Sequence, residues 1–142
     1  MANTIVTGSR YKKIQSAVAH DGNIKPGMLI ELMSTGKVQR QATRGANCEI
    51  LIAVEDGLQG GNLTTAYTAD NVVDSIIPER GTQSQILLKL GENVVIGDKL
   101  CAAGSGLVEK KTSTYTELAV ALEAKDLRAS SAVDTLIEVR WL

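Results

Sequence analysis

The chain has 142 residues, 44% of them hydrophobic, and sets 15 Lys and Arg against 16 Asp and Glu for a net charge of −1. A domain of that length buries roughly 70% of the surface its unfolded chain would expose, and its apolar fraction excludes disorder as the resting state. The charges are scattered, with Lys12-Lys13 and Lys110-Lys111 the only basic pairs, which argues against direct nucleic-acid binding through a concentrated basic face with stacking aromatics. In chain order, residues 1–19 read as an N-terminal arm and 20–142 as one β domain. The arm mixes small polar residues (Asn3, Thr4, Thr7, Ser9) with isolated apolar ones (Ile5, Val6, Tyr11, Ile14), and Arg10, Lys12 and Lys13 give it local positive charge. Tyr11, Ile14 and Val18 have helical spacing, but the Val6-Thr7-Gly8-Ser9 run before them favours an extended arm. The N-terminus lacks the basic region and apolar stretch of a signal peptide, so synthesis in the cytoplasm is expected.

The domain that follows contains a repeat. With Gly27 set on Gly97, Ile30 meets Leu100, Gly36 meets Gly106, Val38 meets Val108 and Arg40 meets Lys110. Both segments read as an apolar strand, a Gly-containing turn and a second strand centred on valine. After a shift of register, Glu49-Ile50-Leu51-Ile52-Ala53-Val54-Glu55 falls on Glu117-Leu118-Ala119-Val120-Ala121-Leu122-Glu123. Each is a continuous apolar run bracketed by glutamates, as a strand buried on both faces would be. The units are thus a hairpin plus a strand, at about 27–55 and 97–123. These apolar runs are too short to cross a bilayer.

Other strands are expected at Gln85–Leu90, with Ile86, Leu88 and Leu90 on one face, and at the C-terminus, where Ile137, Val139 and Trp141 alternate with Glu138 and Arg140. Leu63–Tyr67 is a weaker strand candidate. Helix is scarce: one turn is conceivable at Ala69–Ser75, capped by Asp70, and a short helix or surface excursion at Glu123–Ser131. With no Phe, one Trp and three Tyr, the core is expected to be aliphatic and largely β-branched, which suits pleated surfaces. The fold class is therefore all-β with little helix, several short strands with turns between them indicating a sandwich or a small β-barrel.

No convergent catalytic set is visible. His20 is the only histidine and reads as a polar turn residue, since no nucleophile-elbow serine accompanies it. Cys48 and Cys101 fit neither a metal spacing nor a disulfide framework, so reduced thiols and no metal are expected. Gly104-Ser105-Gly106-Leu107-Val108-Glu109 starts like a dinucleotide fingerprint but lacks its last glycine, and its repeat partner is a hairpin turn. No cofactor and no enzymatic activity are expected.

Several stretches carry a resemblance. Ile24-Lys25-Pro26-Gly27-Met28-Leu29-Ile30-Glu31-Leu32, Ala53-Val54-Glu55-Asp56 with Leu58-Gln59-Gly60, Val94-Val95-Ile96-Gly97-Asp98-Lys99-Leu100, and Ala119–Ala124 leading to Ile137–Val139 together resemble the capsid decoration (cement) proteins of tailed bacteriophages. The opening Asn3–Tyr11 is similar to the arm of such proteins. The resemblance implies a small β-barrel or β-tulip-like module, a protein of the virion that binds the outer surface of an assembled head, partners the major capsid protein and works as a homotrimer. On that reading Thr4, Ile5, Val6, Arg10, Tyr11, Lys12 and Lys13 are the candidate capsid-binding residues. Trp141 and Leu142 are candidates for the oligomer interface, because little chain remains beyond them to bury a large aromatic. The alternatives are another virion or sugar-binding β module, a small β enzyme using scattered carboxylates, or a biotinyl or lipoyl carrier domain. A carrier's modified lysine would have to be Lys37 in Met33-Ser34-Thr35-Gly36-Lys37.

Overall fold

A computed structural model describes residues 4–7, 11–56, 62–112 and 114–142, with backbone alone for 11–16. The described residues form strands and turns and no helix. The strands are β1 (Tyr11–Val18), β2 (Ile30–Leu32), β3 (Val38–Arg40), β4 (Ile52–Ala53), β5 (Val72–Pro78), β6 (Gln83–Leu88), β7 (Asn93–Val94), β8 (Lys99–Gly104), β9 (Leu107–Lys110), β10 (Ala119–Ala121), β11 (Lys125–Asp126) and β12 (Thr135–Trp141). Strands β10-β12-β6-β9-β8 close into a ring, β1-β5-β4 form a three-stranded sheet, and β2-β3 and β11-β7 are two-stranded.

The repeat read from the sequence carries the same hydrogen bonds in both copies. Ile30, Glu31 and Leu32 pair with Arg40, Gln39 and Val38; Leu100, Cys101 and Ala102 pair in the same register with Lys110, Glu109 and Val108. Leu29 bridges Ile52 as Lys99 pairs with Val120. Gly27 N–H donates to Ala53 O as Gly97 N–H donates to Ala121 O, each 2.9 Å. The glycines shared by the copies hold left-handed backbone, φ +87° and +93° at Gly27 and Gly97 and +85° and +76° at Gly36 and Gly106, which side-chain-bearing residues rarely adopt.

The equivalence reaches further than the sequence reading did. Strand β4 pairs with β5 through Ile52↔Ile76 and Ala53↔Ser75, as β10 pairs with β12 through Val120↔Arg140 and Ala121↔Val139. Strand β5 pairs with β1 as β12 pairs with β6, and Ala19↔Val38 is a parallel bridge matching Leu88↔Val108. The first half therefore runs the same circuit, β4-β5-β1-β3-β2, with two of its joints reduced to single bridges. The all-β domain thus has two tandem lobes: lobe 1 (residues 11–78), whose open sheets are joined by single bridges, and lobe 2 (residues 83–142), which holds the closed ring.

Each lobe has its own apolar centre. Lobe 1 encloses Ile24, Ile30, Val38, Leu51, Ala53, Tyr67 and Val73. Lobe 2 encloses Ile86, Leu88, Leu100, Ala102, Val108, Ala119, Ala121, Ile137, Val139 and Trp141. Both glutamate-bracketed runs are buried throughout their centres, as expected of strands covered on both faces. Leu29, Ile52 and Ile76 point out of lobe 1 and join the core of lobe 2, making a seam with an apolar interior. Burying each such side chain is worth roughly 1.5–3 kcal/mol.

Several local expectations differ from the structure. Residues 11–18, expected as part of an extended arm, form β1, paired antiparallel with β5 across a bulge between Ile14 and Ala17. Asp70 sits in a turn at φ +66° before β5 and accepts from Lys37 Nζ at 2.6 Å, so it caps no helix. Lys125–Asp126 is a short strand on β7 within the stretch read as helix or excursion. Residues 62–68 are turn and irregular backbone. Leu90 falls in the turn after β6 and is 47% exposed, its N–H donating to Asp134 Oδ1.

Candidate interaction surfaces

The seam between lobes is built from two pieces of lobe 1 and the N-terminal strap. Segment Lys25–Leu29 lies on the outer face of β6 and β12: Leu87 N–H donates to Gly27 O at 2.8 Å, and a Cβ on Gly27 would sit 2.5 Å from Leu136 Cδ2. Leu29 N–H donates to Gly106 O at 2.8 Å, where a Cβ on Gly106 would meet Leu29 O at 3.0 Å. The loop after β3 covers β8, with Gly45 N–H donating to Ala102 O at 2.7 Å and no room for a Cβ between Gly45 and the Tyr115 ring.

A charged clamp closes this loop. The Glu109 carboxylate is buried and paired with Arg44, and Lys89 Nζ lies 3.7 Å away. Arg44 stacks over Tyr115 with its guanidinium carbon 5.3 Å from the ring centroid. The hydrogen bond that Arg44 donates to Glu109 holds the Arg44 proton more firmly than usual, and burial raises the Cys101 thiol. This arrangement joins lobes rather than offering a reactive group.

The candidate capsid-binding residues divide. Ile5 has no exposed surface: its N–H donates to Glu55 Oε2 at 3.2 Å, its carbonyl accepts from Gln85 N–H at 2.7 Å, and it packs in the seam. Val6 is half-buried and bridges Ser84, whereas Thr4 is exposed, its hydroxyl donating to Val6 O. Thr7 N–H donates to Gln83 O and its hydroxyl pairs with Glu138. Residues 4–7 thus form a strap along β6. Arg10 lies outside the described residues, as do the side chains of Tyr11, Lys12 and Lys13, whose backbones pair with Pro78, Ile77 and Ile76. The segment expected as an arm places β1 against the protein's own β5.

Trp141, expected at an interface, lies in the chain's own core. It is 1% exposed, and its indole N–H donates to Ser84 Oγ at 2.6 Å. Closure of the ring puts β12 between β10 and β6, so the end of the chain supplies a central strand. Leu142 is 41% exposed. The signal missed was Ser84, a buried hydroxyl on a strand otherwise read only for its apolar face.

Chemistry elsewhere is sparse. Among the described residues no group of three or more His, Cys, Asp or Glu side chains could hold a metal ion. The basic pair Lys110-Lys111 is countered by Asp98 at 3.0 Å and Glu117 at 2.8 Å. An apolar groove of about 350 Å³ runs along the seam between Met28, Leu63, Leu87, Val133 and Leu136. The exposed large apolar side chains are Leu32, Val72, Leu90, Val95, Ile96, Val133 and Leu142.

No protein-family model and no curated protein matches the chain. Among solved structures, the chain is similar to the N base of head fiber gp8.5 in bacteriophage phi29, with a TM-score of 0.60 and 10% sequence identity. The likeness covers 93% of this chain and 94% of that one, so the similarity of fold extends along almost the whole of both.

Proposed function

We propose that this protein is a structural component of a tailed-phage head, bound to the outer surface of the assembled capsid and partnering the major capsid protein as a homotrimer. The observation that carries the reading is the likeness in fold, across almost the full length of both chains, to the base of a phage head fiber. The decoration-protein resemblance of the Pro26-Gly27 and Gly97-Asp98 strands supports it independently. In this role the protein needs no reactive group. A ligand that binds only the assembled shell stabilises it by mass action, and linked copies multiply the gain.

The carrier reading loses ground to one contact. Lys37 Nζ is held by Asp70 at 2.6 Å, whereas a carrier must present its lysine free at a hairpin tip.

The test is a heat challenge of DNA-filled heads stripped of this protein and then resupplied with it. The proposal expects DNA release to move to higher temperature as occupancy rises. Release at the same temperature with the protein bound would refute the stabilising role.

A further inference from the structure

The seam between the two lobes is one-directional. Lobe 1 contributes its 25–29 turn and the loop after β3; lobe 2 contributes Leu87, Leu136, the Gly106 turn and Ala102. A two-fold seam would use the equivalent positions of the other lobe in return, and it does not. Gly97, the counterpart of Gly27, and Gly36, the counterpart of Gly106, both face open space. Pro26, Gly27, Met28 and Leu29 are buried, whereas at the matching positions Ile96 and Gly97 are exposed. Two lobes joined this way leave one contributing turn on lobe 2 and one receiving face on lobe 1 unused.

Those unused positions are apolar. On lobe 2 the turn carries Ile96, the counterpart of buried Pro26, at 70% exposure. On lobe 1 the receiving face carries Val72, the counterpart of Leu136, at 47%. Two of the seven exposed large apolar side chains among the described residues, Ile96 and Val72, therefore stand where the seam's own geometry would cover them. The turn is also already shaped for the task. Val95 N–H donates to Asp98 Oδ2 at 2.9 Å, as Lys25 N–H meets Met28 Sδ at 3.4 Å in the turn that is docked.

We infer that a second copy of this chain repeats the seam between molecules: the Val95-Ile96-Gly97-Asp98 turn of one copy packs on the Gly36 and Val72 face of the next. The contact is heterologous, so each copy gives one surface and receives on the other, and copies close into a ring or continue as a filament. It is weaker than the seam inside the chain. Leu29 and Ile76, which fill the internal seam, have Lys99 and Arg140 as counterparts, both exposed. The inter-copy contact is thus confined to the turn side, which fits reversible association of folded chains. The inference names surfaces for the trimer proposed above and rests on that reading only for the number three.

The test uses the full-length protein without capsids, so its failure is distinct from failure of the head-binding reading. Ile96→Glu breaks the contributing turn and Val72→Glu the receiving face, and circular dichroism confirms that each variant folds. Light scattering and sedimentation velocity are expected to find wild type as an oligomer and each variant as a monomer. An equimolar mixture of the two is expected to form dimers, because each variant retains the surface the other lacks. Wild type that stays monomeric at high concentration, an oligomer indifferent to both substitutions, or a mixture that stays monomeric would each overturn the inference.

Discussion

Gly36 and Gly106 occupy the same turn in the two lobes, so substituting each with alanine separates backbone strain from the cost of the seam. Both hold positive φ, +85° and +76°, and a side chain there costs roughly 1–2 kcal/mol in either lobe. Gly36 has nothing within 4 Å of a new Cβ, and strain is its whole cost. At Gly106 the Cβ would meet Leu29 O at 3.0 Å and Met28 Cβ at 3.1 Å, backbone or near-backbone atoms that move only if the lobes part. Overpacking of that kind adds about 1–3 kcal/mol. Gly106→Ala should therefore cost about 2–5 kcal/mol and Gly36→Ala about 1–2 kcal/mol. Urea denaturation of both variants, made in the Ile96→Glu background so that contacts between copies do not intrude, reads the difference directly. Equal midpoints for the two variants would refute the one-directional seam.

Trp141→Ala should cost about 3–5 kcal/mol in the same assay, while Leu142→Ala stays within about 0.5 kcal/mol, because one side chain fills a ring and the other lies at its rim. Tyr67→Phe should cost about 1–3 kcal/mol, since the buried hydroxyl donates to Val54 O at 2.6 Å and accepts from Asp74 N–H at 3.2 Å, and both groups lose that partner. Burial also raises the Tyr67 phenol above its ordinary value of 10.0, so its stabilising effect is complete below that pH and fades as pH rises beyond it. Titration by NMR should find Asp126 with a pKa of about 2, lowered from 3.8 by hydrogen bonds from Arg128. Its contribution to stability is therefore present above about pH 4 and lost as pH falls toward about 2, and Asp126→Asn should flatten the stability curve across that window.

The hairpin and the buried strand of each repeat were legible because their geometry constrains residue type. Positive φ selects glycine at 27, 97, 36 and 106, and burial on both faces selects aliphatic runs at 50–54 and 118–122. The matching of β1 with β6 and of β5 with β12 was not legible, because only their hydrogen bonds are alike. Tyr11–Val18 and Gln83–Leu88 share almost no side chains, and the bulge after Ile14 shifts one against the other. The seam left a weaker trace still. Its receiving face depends on Leu87 and Leu136, which alternate with core residues and read as the solvent side of their strands. Ile5 was read as part of an arm because a lone apolar residue in a polar stretch does not reveal a partner as distant in sequence as Glu55 or Gln85.

Binding to the assembled head is tested most directly by co-sedimentation of the purified protein with DNA-filled heads and, in parallel, with unassembled major capsid protein at the same subunit concentration. The account predicts saturable binding to heads, with a fixed number of copies per capsomer site, and little binding to free subunits. Protein that remains in the supernatant with intact heads, or that binds free subunits as tightly as heads, would contradict it.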